Sequence, residues 1–313
     1  MPDTLDGLVI RAQSGFLTVV TDVGEYTCRL RGRLKQGEQE GDIVAVGDRV
    51  TITPHADSSG EIESVHERSG EFSRVRTGIK RDFRQILLAN PDQIVAVFAC
   101  AEPAPSLRML DRFLVIAEKQ NIAALIVANK VDLVAMDQAQ ATFGNYTKLG
   151  YSVVYTSAHT GQGVDHLREH LKGKLSALTG PSGVGKSSLL NAIQPDLGLQ
   201  VRTVSEATSK GRHTTRVREL FPLDVGGYVA DTPGIRSLAL WDTEPEELDA
   251  YFVEMRHLVA DCQFNDCTHT HEPGCAVQAA VESGEIAQER YHSYLRLRFG
   301  DESEAYIEEG DGD

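Results

Sequence analysis

The chain has 313 residues, 41% of them hydrophobic and 25% charged, with a formal net charge of −15. That length suits two or three domains, and the charge argues against a protein that coats nucleic acid by bulk attraction. No apolar run approaches the roughly 20 residues that span a bilayer, and the opening residues (MPDTLD) are acidic rather than an apolar signal core. The expectation is a cytoplasmic protein with no membrane partner.

Residues 1–72 read as an all-β domain. Short β-type runs at 7–10, 15–21, 25–30, 48–54 and 60–65 are split by turns, with Gly-Asp pairs at 41–42 and 47–48. Five such strands suit a small barrel of the OB type, and an SH3-like barrel looks alike at this level. Arg29, Arg31, Arg33 and Lys35 alternate with no acid between them; on a strand they would share one face. Arg68, Arg74, Arg76, Lys80, Arg81 and Arg84 then outnumber Glu71 and Asp82. These stretches read either as solvated faces or as a phosphate-contacting patch on an acidic protein. The segment 71–92, ending in Asn90-Pro91-Asp92, reads as a linker and turn.

From residue 93 the pattern changes. QIVAVFAC at 93–100 and the run 122–128 are continuous apolar stretches, as expected of strands buried on both faces. Helical spacing at 107–120, 137–149 and 164–171 alternates with strands at 152–156 and 174–179. Strand–helix alternation predicts a parallel sheet covered on both sides, with any ligand at the carboxyl ends of the strands. Residues 198–216 have no period and read as a long loop, and 217–223 and 228–230 as two more strands. This α/β domain is expected to run from 73 to 242.

Four strand ends carry chemistry. Gly180-Pro181-Ser182-Gly183-Val184-Gly185-Lys186-Ser187, followed by Ser188, matches G-x-x-x-x-G-K-[ST] between a strand and a helix. The glycines let backbone N–H groups wrap a phosphate, Lys186 can reach the β and γ phosphates, and Ser187 can ligate Mg²⁺. Asn129-Lys130-Val131-Asp132 resembles the guanine motif N-K-x-D of translation-type GTPases, in which Asp132 would accept from guanine, Asn129 would tie this loop to the phosphate loop, and the Lys130 stem would cover the base. Thr156-Ser157-Ala158 also ends a strand, and it resembles the companion element that offers a backbone N–H to guanine O6. A fourth strand end, Asp231-Thr232-Pro233-Gly234, resembles D-x-x-G, with Asp231 holding Mg²⁺ through water and the Gly234 N–H facing the γ-phosphate. The base motif precedes the phosphate loop, the reverse of the ordinary order, so the nucleotide domain is circularly permuted.

Residues 243–300 read as mostly helical around Cys262, Cys267 and Cys275, with His269 or His271 as a fourth donor. Three thiols and an imidazole suit one structural zinc ion. Cys28 and Cys100 sit in apolar runs as core residues. Residues 301–313 carry seven acids and no Lys or Arg, and read as a solvated, disordered tail.

Across nearly its whole length the sequence closely resembles the bacterial RsgA (YjeQ) family of circularly permuted GTPases. The resemblance implies an N-terminal OB-fold, a central GTPase and a zinc-binding C-terminal domain whose fourth ligand is His269. It also implies GTP and GDP as ligands and a role in late maturation of the small ribosomal subunit, with its rRNA as partner. The family's switch segment is matched by residues 210–215, where Thr214 or Thr215, with Thr215 favoured, would complete Mg²⁺ coordination. Ile235 stands where many GTPases place a water-orienting Gln, which leaves His213 as the local candidate for that role. A monomer is expected. The competing readings are a metabolic kinase, for which no acceptor pocket is evident, and a GTP-regulated scaffold with negligible hydrolysis.

Overall fold

The computed structural model describes residues 4–35, 42–76, 83–199, 218–231 and 244–300. Five N-terminal strands form a ring: β1 (Leu5–Gln13), β2 (Phe16–Thr21), β3 (Gly24–Leu30), β4 (Arg49–Pro54) and β5 (Ser59–Val65). β1 pairs with β2 and β4, β2 with β3, β3 with β5 in parallel, and β5 with β4. Alternate residues point inward, so Val9, Val19, Cys28, Val50, Ile52 and Ile62 fill the barrel.

Two expectations for this region change. Arg29, Arg31, Arg33 and Lys35 do not share a strand face, because β3 stops at Leu30 and residues Gly32–Lys35 turn into a short 3₁₀ helix. The basic linker is instead a hairpin, β6 (Glu71–Arg76) with β7 (Phe83–Ala89). Its charges hid the period of two. Part of its positive charge is also neutralised at short range: Arg68 lies 2.7 Å from the buried Asp48, and Arg84 lies 3.1 Å from Glu71.

The nucleotide-domain sheet has the order β10–β9–β8–β11–β13–β12. Its strands are β8 (Gln93–Ala99), β9 (Ala123–Asn129), β10 (Ser152–Thr156), β11 (Leu175–Thr179), β12 (Arg218–Pro222) and β13 (Tyr228–Asp231). All neighbours run parallel except β12, which is antiparallel to β13. Both faces of β8 are buried, and this explains its unbroken apolar run. Ile94, Ala96 and Phe98 pack toward helices α1 (Leu107–Lys119) and α2 (Met136–Lys148). Val95, Val97 and Ala99 pack toward α3 (Val164–Leu171) and α4 (Lys186–Ile193). Beyond its antiparallel edge the sheet continues into the barrel, because β12 pairs with β1.

The C-terminal module has its own small core, in which Phe252, Met255, Tyr294 and Leu295 surround Cys267 and Cys275. Helices α5 (Ala276–Glu282) and α6 (Gln288–Phe299) close it. Val115 of α1 belongs to the same core, so the module is seated on the nucleotide domain.

Candidate functional site

Because β8, β9, β10, β11 and β13 are parallel, their carboxyl ends share one rim. The register places Asn129 opposite both Ala99 and Thr156, Thr179 opposite Ala96, and Asp231 opposite Leu178. The loops carrying Asn129–Asp132, Ser157–Ala158 and Gly180–Ser187 therefore leave the sheet side by side.

The first and third of these loops touch. The buried Asn129 amide donates to the Val184 carbonyl at 2.7 Å. Its own oxygen accepts from the buried Thr156 hydroxyl at 3.1 Å. Thr156 thus fixes the amide orientation: with the oxygen engaged, the NH₂ end faces the phosphate loop. Two glycines are required by this closeness. A Cβ at Gly180 (φ +134°) would lie 2.0 Å from the Val97 carbonyl oxygen, and one at Gly185 (φ +95°) would lie 2.5 Å from the Asn129 amide nitrogen.

Lys186 opens α4, and its ammonium donates to the Gly180 and Pro181 carbonyls at 2.9 and 2.7 Å. Ser187 and Ser188 follow in the same first turn, where the N–H groups at the start of a helix give positive potential. Lys130 adopts a left-handed backbone (φ 63°) and its ammonium donates to the Glu102 carbonyl. The Asp132 side chain is exposed, open to a base approaching along this rim. In the third loop the Ser157 N–H is taken by the Gln162 carbonyl at 2.9 Å. The Ala158 N–H has no backbone hydrogen-bond partner among the described residues. His213, Thr214, Thr215, Gly234, Ile235 and the acidic tail lie outside the described residues.

The second cluster is in the C-terminal module. One donor atom from each of Cys262, Cys267, His269 and Cys275 lies within 4.8 Å of all the others. His269 is fully buried in a left-handed backbone conformation (φ 63°) that turns Nδ1 toward the sulfurs, 3.6 Å from Cys262 and 3.3 Å from Cys275. Its Nε2 lies 3.2 Å from Asp249 Oδ2, a contact that orients the ring with Nδ1 toward the sulfurs. His271 is exposed, and its ring instead meets the Thr270 hydroxyl at 2.8 Å.

Burial opposes charge on His269, yet the Asp249 and Cys275 hydrogen bonds outweigh it and raise the imidazole to about 9. Burial also opposes a Cys275 thiolate, but hydrogen bonds from His269 and the Gln278 amide hold that thiol below its ordinary range. Glu272 stiffens the ligand loop by accepting from the Thr268, Thr270 and His271 amides at 2.8, 2.9 and 3.1 Å. Burial works against that carboxylate too, and the hydrogen bonds overcome it, leaving it at about 2. A Cys₃His set of this size, with an oriented imidazole, fits tetrahedral zinc and leaves no open position for catalysis.

Comparison with known proteins follows the same division of the chain. A family model described as "RsgA GTPase" matches residues 65–241, and one described as "RsgA N-terminal domain" matches residues 6–62. The chain belongs to the RsgA family of GTPases. An RsgA of Gemmatimonas aurantiaca, named a small ribosomal subunit biogenesis GTPase, is 46% identical over 301 residues, 95% of this chain and 98% of the relative. An RsgA of Moorella thermoacetica with the same name is 45% identical over 291 residues, covering 93% and 95% of the two chains. Among solved structures, YjeQ from Thermotoga maritima superposes with a TM-score of 0.77 at 39% identity, covering 95% of this chain and 98% of that one. YloQ, titled a circularly permuted GTPase, superposes at 0.74 and 34% identity, covering 98% and 96%. The permuted α/β GTPase fold, with its barrel before and its Cys/His module after, is thus that of the RsgA family.

Sequence reasoning gave no role of their own to two residues, Thr156 and Asp249. Thr156 precedes the Ser-Ala pair, and its signal was a hydroxyl ending an apolar strand beside the guanine motif. Asp249 lies 20 residues from His269 in a polar segment, and nothing local marks it.

Proposed function

We propose that this protein hydrolyses GTP to GDP and phosphate on the small ribosomal subunit, as a late maturation factor, and that the subunit accelerates the reaction. The observation carrying this reading is the 2.7 Å bond from Asn129 to Val184, which joins a base-reading loop to a phosphate loop within reach of one nucleotide.

In this reading Asp132 accepts from the guanine N1–H and amine, the Lys130 stem covers the base, and Ala158, with Ser157 shaping the turn, donates to O6. Backbone N–H groups of Ser182, Gly183, Val184 and Gly185 cradle the phosphates, with Gly180 opening the loop. Lys186 leaves its own loop carbonyls for the β and γ oxygens, and Ser188 continues the helix N-terminus beneath them. Ser187 and Thr215 would hold Mg²⁺, with Asp231 acting through water; the ion supplies charge neutralisation on the phosphates. The Gly234 N–H faces the γ-phosphate. His213 orients the attacking water, since the Ile235 side chain makes no hydrogen bond. Zinc, one ion on Cys262, Cys267, His269 and Cys275, holds the C-terminal module together.

The proposed domains are 1–72, 73–242 and 243–300, followed by an acidic tail, in a cytoplasmic monomer. The relatives' name as small ribosomal subunit biogenesis GTPases supports the partner. No described helix is long and apolar enough to cross a membrane. The test is GTP turnover measured alone, with purified small subunits and with large subunits. Acceleration by small subunits only is expected. Equal rates in all three would refute the subunit-stimulated reading and favour a GTP-regulated scaffold.

A further inference from the structure

The edge of β1 that faces away from β2 is divided between two partners. Leu5 to Leu8 pair with Ile52 to Arg49 of β4 and close the barrel. Arg11 and Ala12 pair with Glu219 and Arg218 of β12, the antiparallel edge of the GTPase sheet. Between them, at Val9–Arg11, the pairing of β1 with β2 shifts register. A bulge increases local twist, and this one falls where the outer edge of β1 passes from β4 to β12 while its end stays paired with β2.

β12 is therefore held between β13, which ends at Asp231, and the barrel. In the chain it begins at Arg218, three positions beyond the last residue of the segment 210–215 matched to the family's switch. It cannot slide to absorb a pull from that side. Leu220 is buried against the α1–α2 layer and Phe221 packs on the opposite layer, so a one-residue slip would exchange the two faces. The seam with β1 is short, two residue pairs, and its side chains are incompletely satisfied. Arg11 Nη1 stands 3.9 Å from Glu219 Oε1, and Arg11 Nε is buried with no hydrogen-bond partner among the described residues.

We infer that the β1–β12 seam couples the barrel to the nucleotide site, with Arg11 and Glu219 as positioning residues that set how firmly the hairpin β12–β13 is held. This rests on the reading of residues 210–215 as the nucleotide-sensing switch. The coupling is reciprocal: a ligand on the barrel that changes β1 changes nucleotide affinity by the same factor by which nucleotide changes the barrel's affinity for that ligand.

Amide hydrogen exchange on the full-length, zinc-loaded protein tests it, comparing GDP with a non-hydrolysable GTP analogue. Nucleotide-dependent exchange is expected at residues 218–222 and, with it, at residues 8–13. Arg11→Glu and Glu219→Arg each place like charges across the seam and should reduce the effect at 8–13 by about two- to five-fold, as for opposed surface charges. The double exchange Arg11→Glu with Glu219→Arg should recover it, which loss of folding alone would not do. A change at 218–222 that never appears at 8–13, or singles and double alike unaffected, overturns the coupling. No change at 218–222 would instead remove the switch reading beneath it, and the coupling with it.

Discussion

Arg290 Nη1 lies 2.5 Å from Asp111 Oδ1, joining helix α6 of the C-terminal module to helix α1 of the GTPase domain. The same guanidinium grips both oxygens of Glu254 at 2.6 and 3.0 Å and stacks 4.5 Å over Phe252. Asp111 also accepts from the Tyr146 hydroxyl of α2 at 2.7 Å. Burial disfavours the charge, and the two carboxylates more than restore it, so Arg290 stays protonated. Arg290→Ala would strand two buried carboxylates, and a destabilisation of about 3–5 kcal/mol is expected, read as a fall in denaturant midpoint. Arg290→Met combined with Asp111→Asn and Glu254→Gln should recover much of that loss. Equal loss in both variants would show that packing, not charge, holds the module.

Thr156→Val removes a buried hydroxyl without changing side-chain size. The Asn129 amide oxygen is then left without its partner at a cost of about 1–3 kcal/mol, and its amide end no longer has a fixed orientation toward Val184. GTP and GDP affinity should both fall by about ten-fold, measured by equilibrium binding. Unchanged affinity for both nucleotides would mean that the Thr156–Asn129–Val184 chain does not organise the site.

Asp132→Asn replaces an acceptor carboxylate by an amide. Guanine then loses two charge-assisted hydrogen bonds, while xanthine presents a carbonyl to the new NH₂. GTP affinity should drop by at least about ten-fold, with xanthosine triphosphate gaining in its place. Competition between the two nucleotides checks this, and undiminished preference for GTP would refute the base assignment.

Asp249→Asn keeps the shape of the residue that orients His269 but removes its charge. Zinc affinity should fall by about 10–100-fold, followed by competition with a chromophoric chelator. Acid acts in the same direction. Glu272, held at about 2, keeps its stabilising bonds above the ordinary carboxylate range and loses them as the pH falls toward 2. Glu272→Gln should therefore be costly near neutrality and nearly silent at the lowest pH at which the protein stays folded.

The strands and helices of the nucleotide domain were legible because their burial is periodic or complete: β8 is apolar from Ile94 to Ala99 because both its faces are covered, and the phosphate loop sits where strand and helix signals meet. What escaped the sequence depends on distant partners. The hairpin β6–β7 reads as a basic linker until Arg68 finds Asp48 and Arg84 finds Glu71. Arg290 is one of three arginines on α6 with Arg296 and Arg298, and only Asp111, 179 residues earlier, and Glu254 make it a buried cation. The continuation of the sheet from β12 into β1 has no local signature, since edge pairing is made by backbone groups that every residue carries.

The shuffled order of the strands has a consequence during synthesis. A translating ribosome releases the base-reading half of this sheet first, from β8 through β10. Asn129 must then wait for Val184, 55 residues behind it, before its amide finds a carbonyl. A nascent chain therefore has no complete nucleotide pocket until β11 and its loop have emerged. Bound nucleotide can stabilise only the later stages of folding in this protein, after the barrel and the guanine side are already outside the tunnel.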